Sequence, residues 1–511
     1  MRQLTSLDAQ FLAFENQRQT GHVAGLAVFD ASTAPEGRLD ADVVRGLIRD
    51  RLSLLPPLRW RRVEVPFGLD YPYWADDPQF DLDYHVRELA LPAPGSDAQL
   101  ADQVARIMSR PLDRERPLWE IYAIHGLESG HTAVLTKIHH AVIDGMSGAE
   151  IMGILLDLSP EGRELPEADR GQRAGGASTA EMLARSVAGV PRYPLRVLRS
   201  LPSAVPNIND TPLRALPGIP VVGRVAGALQ GVVDRDRQRP VGRRYKAPKT
   251  SFNGRVSPHR RVAFGELSLD EVKRAKNAHG VTVNDAVVSI CAGAVRRWLV
   301  QHDELPEEPL VAQIPVSVRA SEQAGTYGNR ILLMAAPLFT NEPDPIVRLH
   351  RTHDAMRDMK DRHRALPADL LQDANNFIPP AIFARASRLT LRLAATRAGR
   401  PNWNLVISNV PGPQIPLYMA GAKLLANNPI SVITDGMGLN ITVMSYLGRM
   451  DFGLISDRDQ MPDVWLLMDW LREELDALMP AKRAKRDGAP RARARRPASS
   501  SRARSSAKQG G

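Results

Sequence analysis

The sequence predicts an α/β or α+β protein built in two halves, and three observations carry that expectation. Strand-like and helix-like apolar periods interleave along the chain. A basic, proline-broken stretch near the middle divides them into two runs. The length, 511 residues with 43% hydrophobic content, exceeds one domain at about 100–200 residues per domain. A single Cys excludes any intrachain disulfide, so buried cores must supply the stability, and a reducing compartment fits best.

In chain order, Ser6 can cap a short helix that sets Leu7, Phe11 and Phe14 on one face, with Asp8 in its first turn. VAGLAVFD (23–30) reads as a strand, and RPLDRERPLWEIYAIHGL leads into a second β-rich stretch, HTAVLTKI (131–138). His139-His140-Ala141-Val142-Ile143-Asp144-Gly145 follows at once. MSGAEIMGILLDLS then carries a capping box, Ser147-x-x-Glu150, ahead of a helical face at Ile151, Ile154, Leu155 and Leu158. The paired histidines therefore sit in a tight turn between a strand and a helix. SLDEVKRAKNAHG is a helix opened by Ser268-x-x-Glu271 and closed by Gly280. Thr282-x-x-Asp285 starts another through Trp298, with Cys291 as inert core. LVAQIPVSVR (310–319), ILLMAAPLF (331–339), WNLVISN (403–409) and GLNITVMSY (438–446) read as strands, and PDVWLLMDWLREELDALM as a final amphipathic helix.

The surplus charge is unevenly placed. Residues 481–511 hold eleven Lys/Arg and one acid, Asp487, for a net of +10, while 1–480 carry 56 bases and 56 acids. The basicity belongs to the tail, and the balanced body lacks the charge expected of a nucleic-acid binder. Asp8 and Glu15 interrupt the amino-terminal apolar residues where a signal peptide needs an unbroken core. No uncharged apolar run approaches the ~20 residues of a membrane span. The expectation is a cytoplasmic protein, soluble or peripheral.

His-x-x-x-Asp alone is a weak signal, and the chain holds another at His350 and Asp354 within a charged helix, where it reads as an i,i+4 surface pair. The copy at 139–145 differs in its doubled His, its following Gly and its strand–turn–helix setting. Imidazole, with an unperturbed pKa of about 6.5, accepts a proton near neutral pH. Other chemistries lack their parts. No HExxH or Cys/His cluster offers a metal site, no GxxxxGK[ST] loop occurs, and Gly145-Met146-Ser147-Gly148-Ala149 lacks the second Gly of a nucleophile elbow. What remains is a base-only site, with a His activating a hydroxyl that belongs to a substrate.

HHAVIDG resembles the HHxxxDG signature of bacterial wax ester synthase/diacylglycerol acyltransferases, within the CoA-dependent acyltransferases related to chloramphenicol acetyltransferase and to peptide-synthetase condensation domains. SLDAQFLAFE, PLW (117–119), VNDAVV, PVSVR (315–319), Gly328-Asn329, SNVPGP (408–413) and GLNITVMSYLGRMDFGLISD agree in order over roughly residues 1–475. The resemblance implies two chloramphenicol-acetyltransferase-like α/β domains with the active site in a channel between them. Residues 1–165 and 251–480 would form them, 166–250 a basic interdomain linker, and 481–511 a disordered basic tail. His140 would be the general base that activates an alcohol against the acyl-CoA thioester, with no acyl-enzyme. His139 would support it, Asp144 would turn away and pair with Arg319, and Gly145 would complete the turn. Asn284 would donate near the reacting carbonyl, with Asp285 and Asn409 in support, although Asp285 suits its capping box equally well. Pro117-Leu118-Trp119 and Val410-Pro411-Gly412-Pro413 hold no titratable group and read as packing or channel-shaping elements.

The implied reaction moves a long-chain acyl group to diacylglycerol or a fatty alcohol, with acyl-CoA as substrate and no cofactor. A different acceptor, such as a polyketide or glycolipid hydroxyl, or a silent lipid-surface protein, are the competing readings. Residues 182–233 place six Arg against Asp210, with seven prolines. That composition suits a membrane or lipid-droplet surface, and also a solvated linker. The tail could hold anionic lipid.

Overall fold

A computed structural model of the chain describes residues 2–4, 6–66, 70–143, 148–165, 245–317, 331–364, 396 and 401–480. The first half runs β1 (Arg2–Gln3), α1 (Ser6–Phe14), β2 (His22–Asp30), α2 (Ala41–Arg51), β3 (Trp60–Val63), β4 (Tyr73–Asp76), α3 (Leu82–His85), β5 (Val86–Ala90), α4 (Asp97–Met108), β6 (Trp119–His125), β7 (Thr132–His139), α5 (His140–Ile143) and α6 (Gly148–Leu155). The second runs β8 (Arg260–Ser268), α7 (Leu269–His279), α8 (Val283–Gln301), β9 (Val311–Ser317), β10 (Ile331–Pro337), α9 (Pro345–Arg364), β11 (Leu405–Val410), β12 (Tyr418–Met419), β13 (Ala422–Ile430), β14 (Leu439–Tyr446), β15 (Arg449–Asp457) and α10 (Trp465–Leu478).

Two six-stranded sheets organise the halves, in the orders β12-β13-β2-β7-β6-β5 and β10-β9-β11-β14-β15-β8, beside a small sheet β1-β4-β3. The first large sheet is antiparallel except where β5 runs parallel to β6. In the second, β11 runs parallel to both β14 and β9. The strand β13 breaks the division expected at residue 251. It crosses from the second half and pairs antiparallel with β2, from Lys423 opposite Asp30 to Ile430 opposite Ala24. The chain then returns through β14, so the halves are interlocked rather than merely joined. Residues 245–250, read from composition as the end of the linker, already pack on the second half: Ala247 and Thr250 are buried, and the Pro248 carbonyl accepts from Asn404.

Local signals explain most element ends. In α7, Ser268 Oγ accepts from the Glu271 N–H at 3.3 Å and Gly280 closes the helix at φ +68°. In α8, Thr282 and Asp285 form the reciprocal capping box that their spacing predicts. The run Ala286–Val295 is buried on every side, as a helix of small apolar residues can be at the centre of a core. Cys291 lies there, and burial pushes its thiol up to about 12. One expectation fails beyond α6. Leu158 is not on the helix's apolar face: it stands 70% exposed past a helix that ends at Leu155. Arg163 stops it by donating to the carbonyls of Gly153, Ile154 and Leu156, while Asp157 exchanges backbone bonds with Tyr418. The pair expected at His350 and Asp354 also resolves differently. Asp354 pairs with Arg357, and the His350 ring meets His279 edge-on.

Each half has its own core, and a third cluster joins them. Leu100, Val104 and Ile107 of α4 pack with Val262 and Phe264 of β8 and with Ile430 and Ile455. Polar ties reinforce this seam: the Arg260 N–H donates to Ser109 Oγ at 3.1 Å, and the Asp435 N–H to Gln19 Oε1 at 2.9 Å. No single helix among the described residues is long and apolar enough to cross a membrane.

Candidate active site

The doubled histidine sits where β7 gives way to α5. Backbone bonds fix both residues, since the His139 N–H donates to the Leu118 carbonyl at 2.9 Å and the His140 N–H to the Gly21 carbonyl at 2.8 Å. Leu118 belongs to the PLW segment, whose Trp119 is fully buried with its indole N–H on the Leu58 carbonyl at 2.7 Å. The segment therefore acts by packing, and it holds the strand end that carries the site.

The two imidazoles have different surroundings. His139 is buried, and its Nδ1 accepts from the Ala141 N–H at 3.1 Å. That acceptor role leaves the proton on Nε2. Nε2 lies 3.1 Å from Glu15 Oε1, a close electrostatic contact rather than a well-aligned hydrogen bond. Glu15 also accepts from the Gly21 N–H at 2.6 Å and pairs with Arg114 at 2.5 Å. Burial works against its charge, but His139, the Gly21 N–H and Arg114 outweigh it and bring Glu15 down to about 2. Gly21 makes this proximity feasible: a Cβ there would stand 2.7 Å from His139 Nε2 and 3.1 Å from the Phe11 carbonyl. Across the β2–β7 pair, His22 lies opposite His139. Burial and the neighbouring Lys137 hold His22 well below its ordinary value, so it stays neutral, donating from Nε2 to the Met108 carbonyl at 2.8 Å.

His140 is half-buried and lies flat against Phe11, with ring centroids 3.8 Å apart and planes 12° from parallel. The stack fixes the ring plane. Helix α1 thus supplies both contacts from one turn, Phe11 to His140 and, just past its end, Glu15 to His139.

In the second half, Asn284 and Asn409 come together. Asn409 Nδ2 donates to Asn284 Oδ1 in a long hydrogen bond of 3.4 Å, joining the start of α8 to the end of β11. With its oxygen engaged, Asn284 retains its amide NH2 as donor. Asp285 is buried and turned elsewhere, its Oδ2 accepting from the Thr282 N–H at 3.0 Å and from His353 Nδ1 at 2.7 Å. Of the residues expected at the site, Asp144, Gly145 and Arg319 lie outside the described residues.

Sequence reasoning passed over Glu15, Gly21, Arg114 and His353. Glu15 stood in the quoted segment SLDAQFLAFE, and Phe11 in its apolar face. No local pattern ties either to a histidine more than a hundred residues on.

Residues 4–287 match the wax ester synthase/diacylglycerol acyltransferase catalytic domain, and residues 327–479 match the C-terminal domain of the same proteins. A Mycobacterium tuberculosis protein named as a diacylglycerol O-acyltransferase is 35% identical over 481 residues, covering 94% of this chain and 90% of its own. The O-acyltransferase WSD of Acinetobacter baylyi is 31% identical, with 93% and 96% covered. The solved wax ester synthase/diacylglycerol acyltransferase of Marinobacter aquaeolei VT8 superposes with a TM-score of 0.65 at 30% identity, covering 94% of this chain and 98% of that one. The first condensation domain of the CDA synthetase, at 16% identity and a TM-score of 0.50, shares the fold.

Proposed function

This chain belongs to the wax ester synthase/diacylglycerol acyltransferase family, and from that premise we propose a long-chain O-acyltransferase in which His140 is the general base. The acyl donor is a fatty acyl-CoA. The acceptor is diacylglycerol, giving triacylglycerol, and also a long-chain alcohol, giving a wax ester. The observation that carries the reading is the unequal treatment of the paired histidines. The Ala141 N–H on Nδ1 locks His139 in one tautomer, while the His140 ring lies flat on Phe11 at the end of β7.

In this mechanism His140 takes the proton of the acceptor hydroxyl as its oxygen attacks the thioester carbonyl. The tetrahedral oxyanion collapses, the carbon–sulfur bond breaks, and the imidazolium returns the proton to the departing sulfur of CoA. His139 and Glu15 position the turn. The Asn284 amide is the donor we assign to the developing oxyanion, oriented by Asn409; donors placed in advance of the charge are the larger part of such catalysis. Asp144 and Arg319 remain the proposed structural pair behind the motif, with Gly145 as its turn residue. In domain terms, we assign 1–165 and 245–480 to the two acyltransferase units, with 418–430 exchanged between them. The basic segments 166–244 and 481–511 support a peripheral position at the cytoplasmic face of a membrane or on a lipid droplet.

The test is release of free CoA from palmitoyl-CoA with diacylglycerol, hexadecanol or no acceptor. Acceptor-dependent release should fall by about 10²–10⁴-fold in His140→Ala. Equal release by the wild type and the variant would remove His140 from the chemistry.

A further inference from the structure

We propose that His353 is a positioning residue for the reaction: through Asp285 it orients the first turn of α8, and with it the amide of Asn284. The proposal rests on the acyltransferase reading above, in which Asn284 is the donor to the oxyanion. Val283, Asn284 and Asp285 are the first three residues of α8, so a rotation of that turn moves their side chains together. The Asn409 bond to Asn284, at 3.4 Å, is too long to fix the amide by itself.

The cap of α8 is complete without His353. Thr282 Oγ1 accepts from the Asp285 N–H at 3.2 Å, and Asp285 Oδ2 accepts from the Thr282 N–H at 3.0 Å. Yet the Asp285 side chain is only 2% exposed, and its Oδ1 has no hydrogen-bond partner among the described residues. A buried carboxylate so sparsely bonded needs a further donor or counter-charge. His353 supplies it from α9, with Nδ1 at 2.7 Å from Oδ2. The carboxylate only accepts, so Nδ1 carries the proton.

Helix α9 is likewise docked without His353. Leu349, Met356 and Met359 set its apolar face into the core of the second half. Arg348 is buried, donates from Nη1 to the Glu342 carbonyl at 2.9 Å, and pairs through Nη2 with Glu474 of α10. The other oxygen of Glu474 accepts from Arg297 of α8 at 2.7 Å. A Cβ on Gly293 would fall 2.7 Å from Arg348 Nη2, so α8 lies directly against this network. The three helices are fixed to one another by these contacts, and His353 reaches from a fixed platform to the helix start. Capping α8 and docking α9 are therefore met elsewhere. What the His353–Asp285 bond adds is the orientation of the turn that carries Asn284.

The experiment measures kcat and KM for CoA release from palmitoyl-CoA with hexadecanol, using the full-length protein. His353→Leu should lower kcat about 10–100-fold with KM little changed, as when a group is misplaced in the transition state alone. His353→Asn, whose Nδ2 can stand where the ring Nδ1 stood, should recover most of that loss. Asn284→Ala should lower kcat about 10²–10³-fold. Adding His353→Leu to it should cost less than about threefold more, because the group being positioned is already gone. Arg357→Ala, which cuts only the exposed pair with Asp354 one turn further along α9, should leave kcat and Tm unchanged.

If His353→Leu does not fold, Asp285→Asn combined with His353→Leu buries no charge and reports in its place, and its kcat should be equally low. Losses that multiply in full when His353→Leu joins Asn284→Ala would overturn the proposal and leave the acyltransferase standing. So would a His353→Asn variant as impaired as His353→Leu, or wild-type kcat in the Asp285→Asn/His353→Leu pair. No CoA release by the wild type, or undiminished release by Asn284→Ala, would overturn the reading of the site and this proposal with it.

Discussion

The His139–His140 turn and the Asn284–Asp285 helix start solve the same problem by different means. Each pairs a polar residue locked into the fold with a neighbour to which we assign a chemical role. At the first, Glu15, held by Arg114 and the Gly21 N–H, locks His139, and all three come from other parts of the chain. At the second, Asp285 is held by Thr282, three residues away in a capping box, and by His353 Nδ1 at 2.7 Å. The first lock is built from tertiary contacts alone, the second from a local cap joined by one tertiary contact. An ionic lock in a buried place is sensitive to loss of a single partner, because the remaining charge is left without compensation. A capping lock is worth about 1 kcal/mol and degrades gently.

The largest effect should come from cutting the ionic lock. Glu15→Gln removes the charge opposite His139, and kcat/KM should fall on the order of 10²-fold, the cost of a misplaced catalytic group. Circular dichroism should remain native; full activity in this variant would erase the contrast between the two locks. The same group should govern acid stability. Its folded pKa lies below the ordinary 4.5, at about 2. Its stabilisation is therefore complete above about pH 4.5 and is lost as the pH falls from there through about 2. Denaturant titrations across that window should show a loss on the order of 3 kcal/mol in the wild type and a flatter profile in Glu15→Gln. A parallel profile for the two proteins would mean that other carboxylates dominate.

Smaller effects sharpen the comparison. Gly21→Ala places a methyl 2.7 Å from His139 Nε2, and urea unfolding should report about 1–3 kcal/mol lost, with activity reduced. Thr282→Ala should cost only about 1 kcal/mol and leave the acyl transfer within a few-fold of wild type. A loss of activity as deep as that of Glu15→Gln would show that the capping lock matters to chemistry as much as the ionic one does.

This contrast also explains what could be read from the residues alone. The capping boxes at Ser268 and Thr282 and the helices they open were legible, because caps act over three or four residues. The strands ending at His139 and near Asn409 were legible from their apolar runs. Glu15 was visible only as a charge in an amphipathic segment. Leu158 was misplaced on a helical face because its period continues past Leu155, while Arg163 and Tyr418, which end the helix, act from outside it.

The sequence by itself therefore determined the two-part α/β character, the family, the HHxxxDG motif and the locally capped helix at Asn284, all features whose causes lie within a few residues of one another. The tertiary structure alone decided that β13 crosses to the first sheet, that α1 sends Phe11 to one histidine and Glu15 to the other, and that Asn409 meets Asn284. Those contacts join residues far apart in the chain. They depend on strand register and close packing between elements, which no local period in the sequence encodes.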